Sequence, residues 1–253
     1  MTQSQTKSIQ AVELAFDVLE TLRRLDGAGV TQVARELDIP KSTAHSHLNT
    51  LHDREFVIKV EDEYRIGLRS LGFGAYSREQ MEIYRVCKDN IDELAAQTGE
   101  LSNLLVEEHG RGVYVYRSQG DMAVQLDTYA GKRVHLHSTA LGKCILAEKP
   151  DEEVEEILDR HGLPESTEHT ITDRRALYEE LESIRDRGYA IDDEERLIGL
   201  RCLAAPIKIN ETIVGAMSVC GPTSRVKGSR LTEDIRETVT NQANVSGINL
   251  TYS

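Results

Sequence analysis

TQVARELDIPKSTAHSHLNTL, residues 31–51, decides the fold of the first part of the chain. Apolar residues recur at three- and four-residue spacings on both sides of its LDIP turn, and this pattern predicts two short helices. We expect Thr31 to cap the first of them and Ser42 to cap the second, which should run to about Glu55. The outward face of the second helix carries polar and basic side chains, so this face meets either water or a polar partner.

A helix and a hairpin flank this pair. Residues 8–25 place their apolar side chains in one broad stripe, which predicts an amphipathic helix beginning near Ser8. After the pair, FVIKV and EYRIG alternate as two short strands around Glu61 and Asp62. Three helices followed by a hairpin form a winged helix-turn-helix, in which the helix after the turn enters the major groove of DNA.

The second helix of the pair is therefore predicted to be a recognition helix. Short polar side chains let such a helix approach base edges closely, while wing residues reach the flanking backbone. The alternative is a plain soluble helical bundle with a solvated polar face. In the DNA-binding interpretation, contacts with phosphates, base edges or the flanking backbone come from Lys41, Ser42, Thr43, His45, Ser46, His47, Asn49, Lys59 and Arg65.

The length of 253 residues suits two domains better than one compact unit. We place the winged helix-turn-helix domain at residues 1–68, linker helices at 69–98 and a second domain at 99–253. Within the linker we expect interruptions near Gly72 and Gly74. Its apolar stripe is too extensive for a lone solvated connector, which predicts assembly through Met81, Ile83, Tyr84, Val86, Cys87, Ile91, Leu94 and Ala95.

The second domain alternates strands and helices. Strands are predicted on both sides of a His-Gly-Arg-Gly turn, again over residues 124–137, and later in YAID, LRCLAAPIKI and TIVGAMSVCGP. Helices are expected at residues 138–149, 151–160, 173–188 and 231–250. An antiparallel sheet flanked by helices is an α+β arrangement, and small-molecule sensor domains use it.

Composition excludes several classes of protein. No uninterrupted apolar run approaches the roughly 18 residues of a membrane span, and the N-terminal MTQSQTKSIQ lacks the apolar core of a secretion signal. We therefore expect a soluble, cytoplasmic protein with no membrane partner. Cys87, Cys144, Cys202 and Cys220 form no CxxC or Cys/His cluster, so reduced thiols are expected, with no disulfide framework, metal or other cofactor.

The net charge of −13 is unusual for a protein that binds DNA. Residues 1–80 hold ten Lys and Arg against twelve Asp and Glu, whereas the remaining residues hold 20 against 31. Solvated surface carboxylates keep proteins soluble in concentrated salt, so the pattern favours a halophilic, haloarchaeal origin. An ordinary acidic mesophilic protein is the alternative.

A helix beginning at TALGK supplies a possible ligand site in the second domain. Its first amides, near Ala140, Leu141 and Gly142, can bind a carboxylate or hydroxyl, because unpaired N–H groups and the helix dipole favour negative charge there. Lys143 is interpreted as a helix-surface or capping charge. The pair His135 and His137 lacks a third ligand nearby, so no metal site is predicted.

Three stretches together resemble one family. HSTALGKCILAE at 137–148 and GYAIDDEERLIGLRCLAAPIKINETIVGAMSVCGPTSR at 188–225 resemble the two signatures of the IclR (isocitrate lyase regulator) transcription factors. PKSTAHSHLNTL resembles the DNA-binding module of that family. The resemblance implies homodimers or tetramers joined through the DNA-binding and linker regions, and a GAF-like C-terminal domain that senses a metabolite. It also implies control of catabolic genes for sugars or for organic and aromatic acids.

The resemblance also implies which residues contact the effector. The ligand-contacting positions of the family correspond here to Asp192, Cys202, Ser218 and Cys220. Asp192 would orient a donor on the ligand, Ser218 would supply a hydroxyl and the two cysteines would form soft walls. Strand periodicity alone also fits a packed face at these positions. Apolar residues around Val124 and Leu126 could form the lid.

Two other functions fit the sequence. An enzyme acting on a small acid could use Cys202 or Cys220 as a nucleophile, although neither has a base adjacent in sequence. A DNA-binding protein could also use its second domain only as a dimerisation scaffold. The leading hypothesis is a ligand-responsive regulator that binds a double-stranded DNA operator and a small metabolite.

Overall fold

The computed structural model describes residues 8–253, which divide into one compact unit ending at Ser77 and another from Arg78 to Ser253. The first unit is the expected winged helix-turn-helix. Its elements are α1 (Gln10–Arg24), α2 (Val30–Glu36), α3 (Lys41–Asp53), β1 (Val57–Val60) and β2 (Glu63–Ile66), followed by α4 (Arg69–Glu79).

The helices and the wing share one apolar core. Buried side chains from α1, α2 and α3 meet the wing strands, which pair antiparallel from Val57 opposite Ile66 to Val60 opposite Glu63. This core fixes the polar face of α3 outward. Its fully enclosed members are Val18, Leu22, Ala28, Val33, Ala34, Ala44, Leu48, Val57 and Tyr64.

The N-cap residues predicted for α2 and α3 are wrong. Gly29 and Pro40 occupy the N-cap positions of α2 and α3, so Thr31 and Ser42 lie inside the first turns. Pro40 has φ −57 and an extended ψ of 141. Its ring fixes φ near a helical value, and α3 begins at the next residue, Lys41. Helix α1 begins at Gln10 with Ile9 at its N-cap, close to the predicted start near Ser8.

The linker breaks later than expected. Helix α4 is continuous through Gly72 and Gly74, since a glycine lowers helix stability by only about 1 kcal/mol relative to alanine and does not by itself end a helix. The break falls at residues 80–81, and α5 (Glu82–Thr98) then ends at Gly99, whose φ of +71 lies in the left-handed region.

Helix α5 packs inside the second unit. Its apolar stripe faces the sheet, so the side chains predicted to join two copies are mostly enclosed by their own chain. The expectation that this stripe forms an assembly surface is therefore wrong for its buried members, Ile83, Tyr84, Cys87, Ile91, Leu94 and Ala95.

The second unit is an antiparallel sheet between two helical layers. Within the described residues the strand order is β5-β4-β3-β8-β7-β6. One layer contains α6, α7 and α8, and the other contains α5 and α9. The bounds are β3 (Leu101–Glu108), β4 (Arg111–Gln119), β5 (Arg133–Val134), α6 (Ala140–Ala147), α7 (Asp151–His161), α8 (Arg174–Arg187), β6 (Ala190–Asp193), β7 (Leu200–Ile209), β8 (Thr212–Pro222) and α9 (Arg236–Thr251).

Two segments differ from the sequence prediction. Residues 124–137 form only the short strand β5, since Arg117 and Lys132 donate hydrogen bonds to backbone carbonyls at residues 126–128 that a strand partner would otherwise bind. A π-helical turn, Arg230–Ile235, precedes α9. None of the helices among the described residues combines the length and apolar character that a bilayer crossing requires.

Candidate nucleic-acid interface and effector site

Helix α3 presents its polar side chains away from the core. Ala44 and Leu48 are buried, whereas every predicted DNA contact on α3 and the wing is exposed or half-buried. The exposed members are Lys41, Ser42, His45, Ser46, Asn49, Lys59 and Arg65, and the half-buried ones are Thr43 and His47.

Several of these side chains already have partners. The Asn49 amide lies 3.4 Å from His45 Nδ1, and the Tyr64 hydroxyl donates to Asn49 Oδ1 at 3.3 Å. Because Tyr64 is on β2, this bond ties the outward face of α3 to the wing. The Ser46 hydroxyl donates to the carbonyl of Ser42 at 2.9 Å, so it offers DNA an acceptor in this rotamer.

At the start of α6, the backbone of Gly142 lies very close to the backbone of Leu136. A Cβ at Gly142 would stand 2.2 Å from the carbonyl oxygen of Leu136, so only glycine fits. The Thr139 hydroxyl accepts the N–H of Gly142 at 3.0 Å, which removes that amide from the predicted ligand site. Ala140 and Leu141, both buried, open the helix beside it.

Lys143 is buried rather than at the helix surface, so that interpretation of its charge is wrong. Its Nζ lies 2.5 Å from Glu195 Oε1 and donates to the carbonyl of Ile191 at 2.7 Å. Glu180 lies 3.5 Å away. These bonds join α6 to β6 and to the loop between β6 and β7, and a buried lysine needs such partners.

Asp192 is 2 % exposed and its carboxylate closes the next turn. Oδ1 accepts the backbone N–H of Glu195 at 2.8 Å and that of Arg196 at 3.3 Å. Burial, followed by the charge of Glu195, raises the pKa of Asp192 to about 7. The neighbouring Asp193 is exposed and paired with Arg201, so of the two carboxylates only Asp192 is enclosed.

The two predicted ligand-site cysteines form a disulfide. Cys202 and Cys220 lie directly opposite each other on β7 and β8, with a Cα–Cα distance of 4.1 Å. The expectation of four reduced thiols is therefore wrong, because spacing along the chain does not reveal strand register. Burial raises the pKa of Cys87 to about 11 and that of Cys144 to about 12, so neither thiol ionises readily.

Cross-strand register gathers polar side chains on the α6 face of the sheet. Asp192 pairs with Cys202, and Cys202 with Cys220. One row further along, Ser218 lies opposite Asn103, and both belong to the α6 face because Cys220 shares it. All four predicted effector positions, Asp192, Cys202, Cys220 and Ser218, are buried polar or sulfur-bearing side chains, which is unusual in a protein core.

Sequence reasoning missed two polar residues in this row and a third beside it. Asn103 interrupts the apolar run of β3, and Arg117 lies opposite it on β4. The Tyr114 hydroxyl accepts from Arg196 Nη1 at 2.8 Å, close to the Asp192 turn. The available signal was the polar pair Ser102 and Asn103 between leucines of β3, and periodicity alone does not distinguish such residues from ordinary surface positions.

The histidines form a cluster of rings. His135 lies edge-on to His137 and His161, with ring centroids 5.6 and 6.4 Å apart. Burial, with Arg111 next in importance, lowers the pKa of His135 to about 4, so its ring is neutral near pH 7. Within residues 8–253, no three His, Cys, Asp or Glu side chains are placed to hold a metal ion together.

Comparison with known sequences decides the family. The model of the IclR helix-turn-helix domain matches residues 11–61, and that of the bacterial transcriptional regulator IclR C-terminal domain matches residues 76–245. The chain belongs to the IclR family. It is a transcriptional regulator with a DNA-binding N-terminal domain and a ligand-binding C-terminal domain, and the named relatives are regulators rather than enzymes.

Relatives and solved structures cover nearly the whole chain. A probable transcriptional regulator ArcR of Halobacterium salinarum is 30% identical over 251 residues, which span 97% of this chain and 95% of that protein. The regulator XynR of Escherichia coli is 30% identical, over 88% of this chain and 90% of its own. The IclR of Thermotoga maritima superposes with a TM-score of 0.76 at 28% identity, covering 96% of this IclR-family chain and 98% of its own.

A solved IclR homologue from Microbacterium hydrocarbonoxydans has the same fold. It superposes with a TM-score of 0.82 at 21% identity, over 96% of this chain and 100% of its own, and it was crystallised with 4-hydroxybenzoate. At that identity the likeness concerns the fold alone.

Proposed function

We propose that this regulator controls catabolic genes for sugars or for organic and aromatic acids, and that a small metabolite from such a pathway sets its affinity for an operator. The observation that carries the proposal is the enclosed cluster of polar and sulfur-bearing side chains in two neighbouring rows of the α6 face, Asp192, Cys202, Cys220 and Ser218. A sheet face built only for packing would be apolar at these positions. The 4-hydroxybenzoate bound by the Microbacterium homologue supports an organic acid as the class of ligand.

The DNA contacts are proposed to come from α3 and the wing. Lys41, Ser42 and Thr43 begin the helix and would bind phosphates or bases, while His45, Ser46, His47 and Asn49 would face the major groove. Lys59 and Arg65 on the wing would reach the flanking backbone. Such a regulator acts where the chromosome is, so we place it in the cytoplasm.

The active form is proposed to be a homodimer, or a tetramer made of two dimers. In place of the buried α5 stripe, the exposed apolar side chains of the first unit support this assembly. Leu71 is 68% exposed and Tyr76 is 68% exposed on α4, and Phe16 is 64% exposed on α1. Large apolar side chains left exposed on one small unit are typical of a protein interface.

Effector-dependent DNA binding tests the function. Genome-wide mapping of bound sites identifies the operator, and the adjoining genes name candidate metabolites. Fluorescence anisotropy with that operator should then show an affinity change of about tenfold with the correct metabolite, as coupling of 1–3 kcal/mol implies. An operator affinity unchanged by every metabolite of the controlled pathway would contradict a sensor and favour a dimerisation scaffold.

Variants locate the site. Asp192→Asn keeps an acceptor for the turn amides but removes the carboxylate, and Ser218→Ala removes the hydroxyl with little change in packing. The double variant should bind the operator normally and lose its response to the metabolite. Asp193→Asn is the matched control, because that exposed carboxylate is directed away to Arg201. A normal response from the double variant would place the effector elsewhere.

A further inference from the structure

Asn103 is a buried amide with an unsatisfied oxygen. The side chain lies in the middle of β3 and is 1% exposed. Within the part of the chain that the structure describes, Oδ1 has no hydrogen-bond partner, and Nδ2 only reaches Cys220 Sγ at 3.7 Å. If the positions of Oδ1 and Nδ2 were exchanged, the amide nitrogen would lack a partner in place of the oxygen. A buried polar atom of this kind destabilises the fold unless a partner reaches it.

Arg117 lies directly opposite Asn103 on β4. Its Nη1 donates to the carbonyl oxygens of Leu126 and Thr128 and, at 3.3 Å, to the Thr128 hydroxyl. These acceptors are neutral, so they satisfy hydrogen-bond donors without neutralising the positive charge. A half-buried guanidinium beside an unsatisfied amide is suited to a carboxylate, which binds arginine through charge-assisted hydrogen bonds.

The register brings these groups into one row. Ser218 on β8, Asn103 on β3 and Arg117 on β4 are consecutive cross-strand partners on the α6 face. Facing side chains on neighbouring strands stand about 4.5–5.5 Å apart at Cβ. Residues 124–128 cover the row, because Val124 and Leu126 pack on the core of that face and Arg117 binds the carbonyls of 126 and 128. A ligand there would be enclosed.

We propose that Asn103 and Arg117 are effector-contacting residues that select a small hydroxy acid. Arg117 binds the carboxylate, and Asn103 Oδ1 accepts a hydrogen bond from a hydroxyl a few bonds away. The inference rests on the proposed effector site and deepens it, since neither residue is among the positions that the resemblance to the family supplied. The one-strand separation of the two side chains sets the short spacing between the carboxylate and the hydroxyl.

Matched pairs of acids test the hydroxyl on the unmodified, full-length protein. The probes are lactate with propionate, 3-hydroxybutyrate with butyrate, and mandelate with phenylacetate, each titrated by calorimetry. In at least one pair the hydroxy acid should bind about tenfold more tightly than the acid without the hydroxyl, as one hydrogen bond in an enclosed site implies. Equal affinities within every pair, or binding by none of the six acids, would overturn the proposal.

Variants then assign the preference to residues. Asn103→Leu should bring the ratio within the pair close to one while leaving the affinity for the simple acid in place. Arg117→Met should weaken both acids by about tenfold or more, and Arg117→Lys should restore part of that loss. Ser102→Ala is the matched control, because its hydroxyl is also buried and without a partner in the described chain but lies on the opposite face of β3.

Other outcomes have separate meanings. If Asn103→Leu keeps the preference for the hydroxy acid and Ser218→Ala removes it, Ser218 binds the hydroxyl. The assignment to Asn103 is then wrong, and the proposed location of the effector site is unaffected. Loss of the preference in Ser102→Ala would show a general effect of β3 on folding and would overturn the assignment to Asn103. The operator measurement described under the proposed function is independent of these titrations, so failure of the hydroxy-acid class is distinguishable from failure of the sensor.

Discussion

Asp192 shows how burial converts a common surface residue into a titrating group near pH 7. Its carboxylate accepts two backbone N–H groups, yet desolvation and the charge of Glu195 raise its pKa to about 7. Because the folded-state pKa lies above the ordinary value, the folded protein holds a proton that the unfolded chain releases. The contribution of this bound proton to the free energy of unfolding is fully present at low pH and is lost as the pH rises through 7.

The free energy of unfolding should therefore depend on pH through this residue. Between about pH 5 and pH 7 the contribution should fall by up to roughly 1.4 kcal/mol per pH unit, the slope for one proton. Asp192→Asn has no titrating carboxyl group at this position. The difference in free energy of unfolding between the wild type and the variant, measured in urea titrations, should therefore change with pH at the slope given for one proton. Asp193→Asn is the control. A constant difference from pH 5 to 7 would show that Asp192 keeps its ordinary pKa.

At the scale of elements, α3 and the wing act together because Tyr64 on β2 donates to Asn49. Replacing His47 and Asn49 with Ala should weaken operator binding by about 1–3 kcal/mol per lost base contact and leave binding to random DNA nearly intact. Tyr64→Phe removes the tie but keeps the ring in the core, and should have a smaller effect. Equal losses on operator and random DNA, measured by anisotropy, would assign these side chains to phosphates or to the fold.

Sequence periodicity predicted most elements because it records local burial. The strands at 200–209 and 212–222 and the hairpin around Glu61 and Asp62 are where the alternation placed them, and the strand predicted at 189–192 lies at 190–193. It failed where tertiary partners decide. The stripe on α5 fits its own sheet or a second copy equally well, and the pairing of Cys202 with Cys220 depends on register. Asn103 and Arg117 were missed for the same reason, since only the sheet makes them neighbours.

At the scale of the whole molecule, assembly through the first unit is the next expectation. Leu71→Glu with Tyr76→Glu places two charges among the exposed apolar side chains of α4 and should shift the mass in light scattering toward the monomer. Ile58→Glu is a matched control, because Ile58 is a 48% exposed apolar residue on the wing. A wild-type protein that is monomeric with and without DNA, at low and at molar KCl, would contradict the dimer.

The net charge of −13 shapes how the whole molecule meets DNA. An ordinary regulator releases cations from phosphates, so the logarithm of its affinity falls by about 0.9 per phosphate contact for each unit of log salt. Here twelve acids accompany ten basic residues in residues 1–80, and 31 accompany 20 in the remainder. Carboxylates near the duplex would take up cations as the complex forms and offset that release. Specificity would rest on hydrogen bonds from Thr43, His45, His47 and Asn49, which salt screens far less than exposed charges.

We therefore expect operator affinity to change little, or to rise, between roughly 0.5 and 2 M KCl, where the ordinary slope demands a steep fall. A halophilic origin stays a prediction, since a Halobacterium salinarum regulator and an Escherichia coli regulator are both 30% identical to this chain. Anisotropy at each salt step gives the affinity, and circular dichroism at the same steps reports whether the protein is folded. Lys41→Gln calibrates the measurement, because removing one phosphate contact should reduce any negative slope of log affinity against log salt by about one unit. A steep negative slope from fully folded protein would defeat both the cation-uptake mechanism and the halophilic assignment, since affinity would then depend on the counterion release that molar salt suppresses.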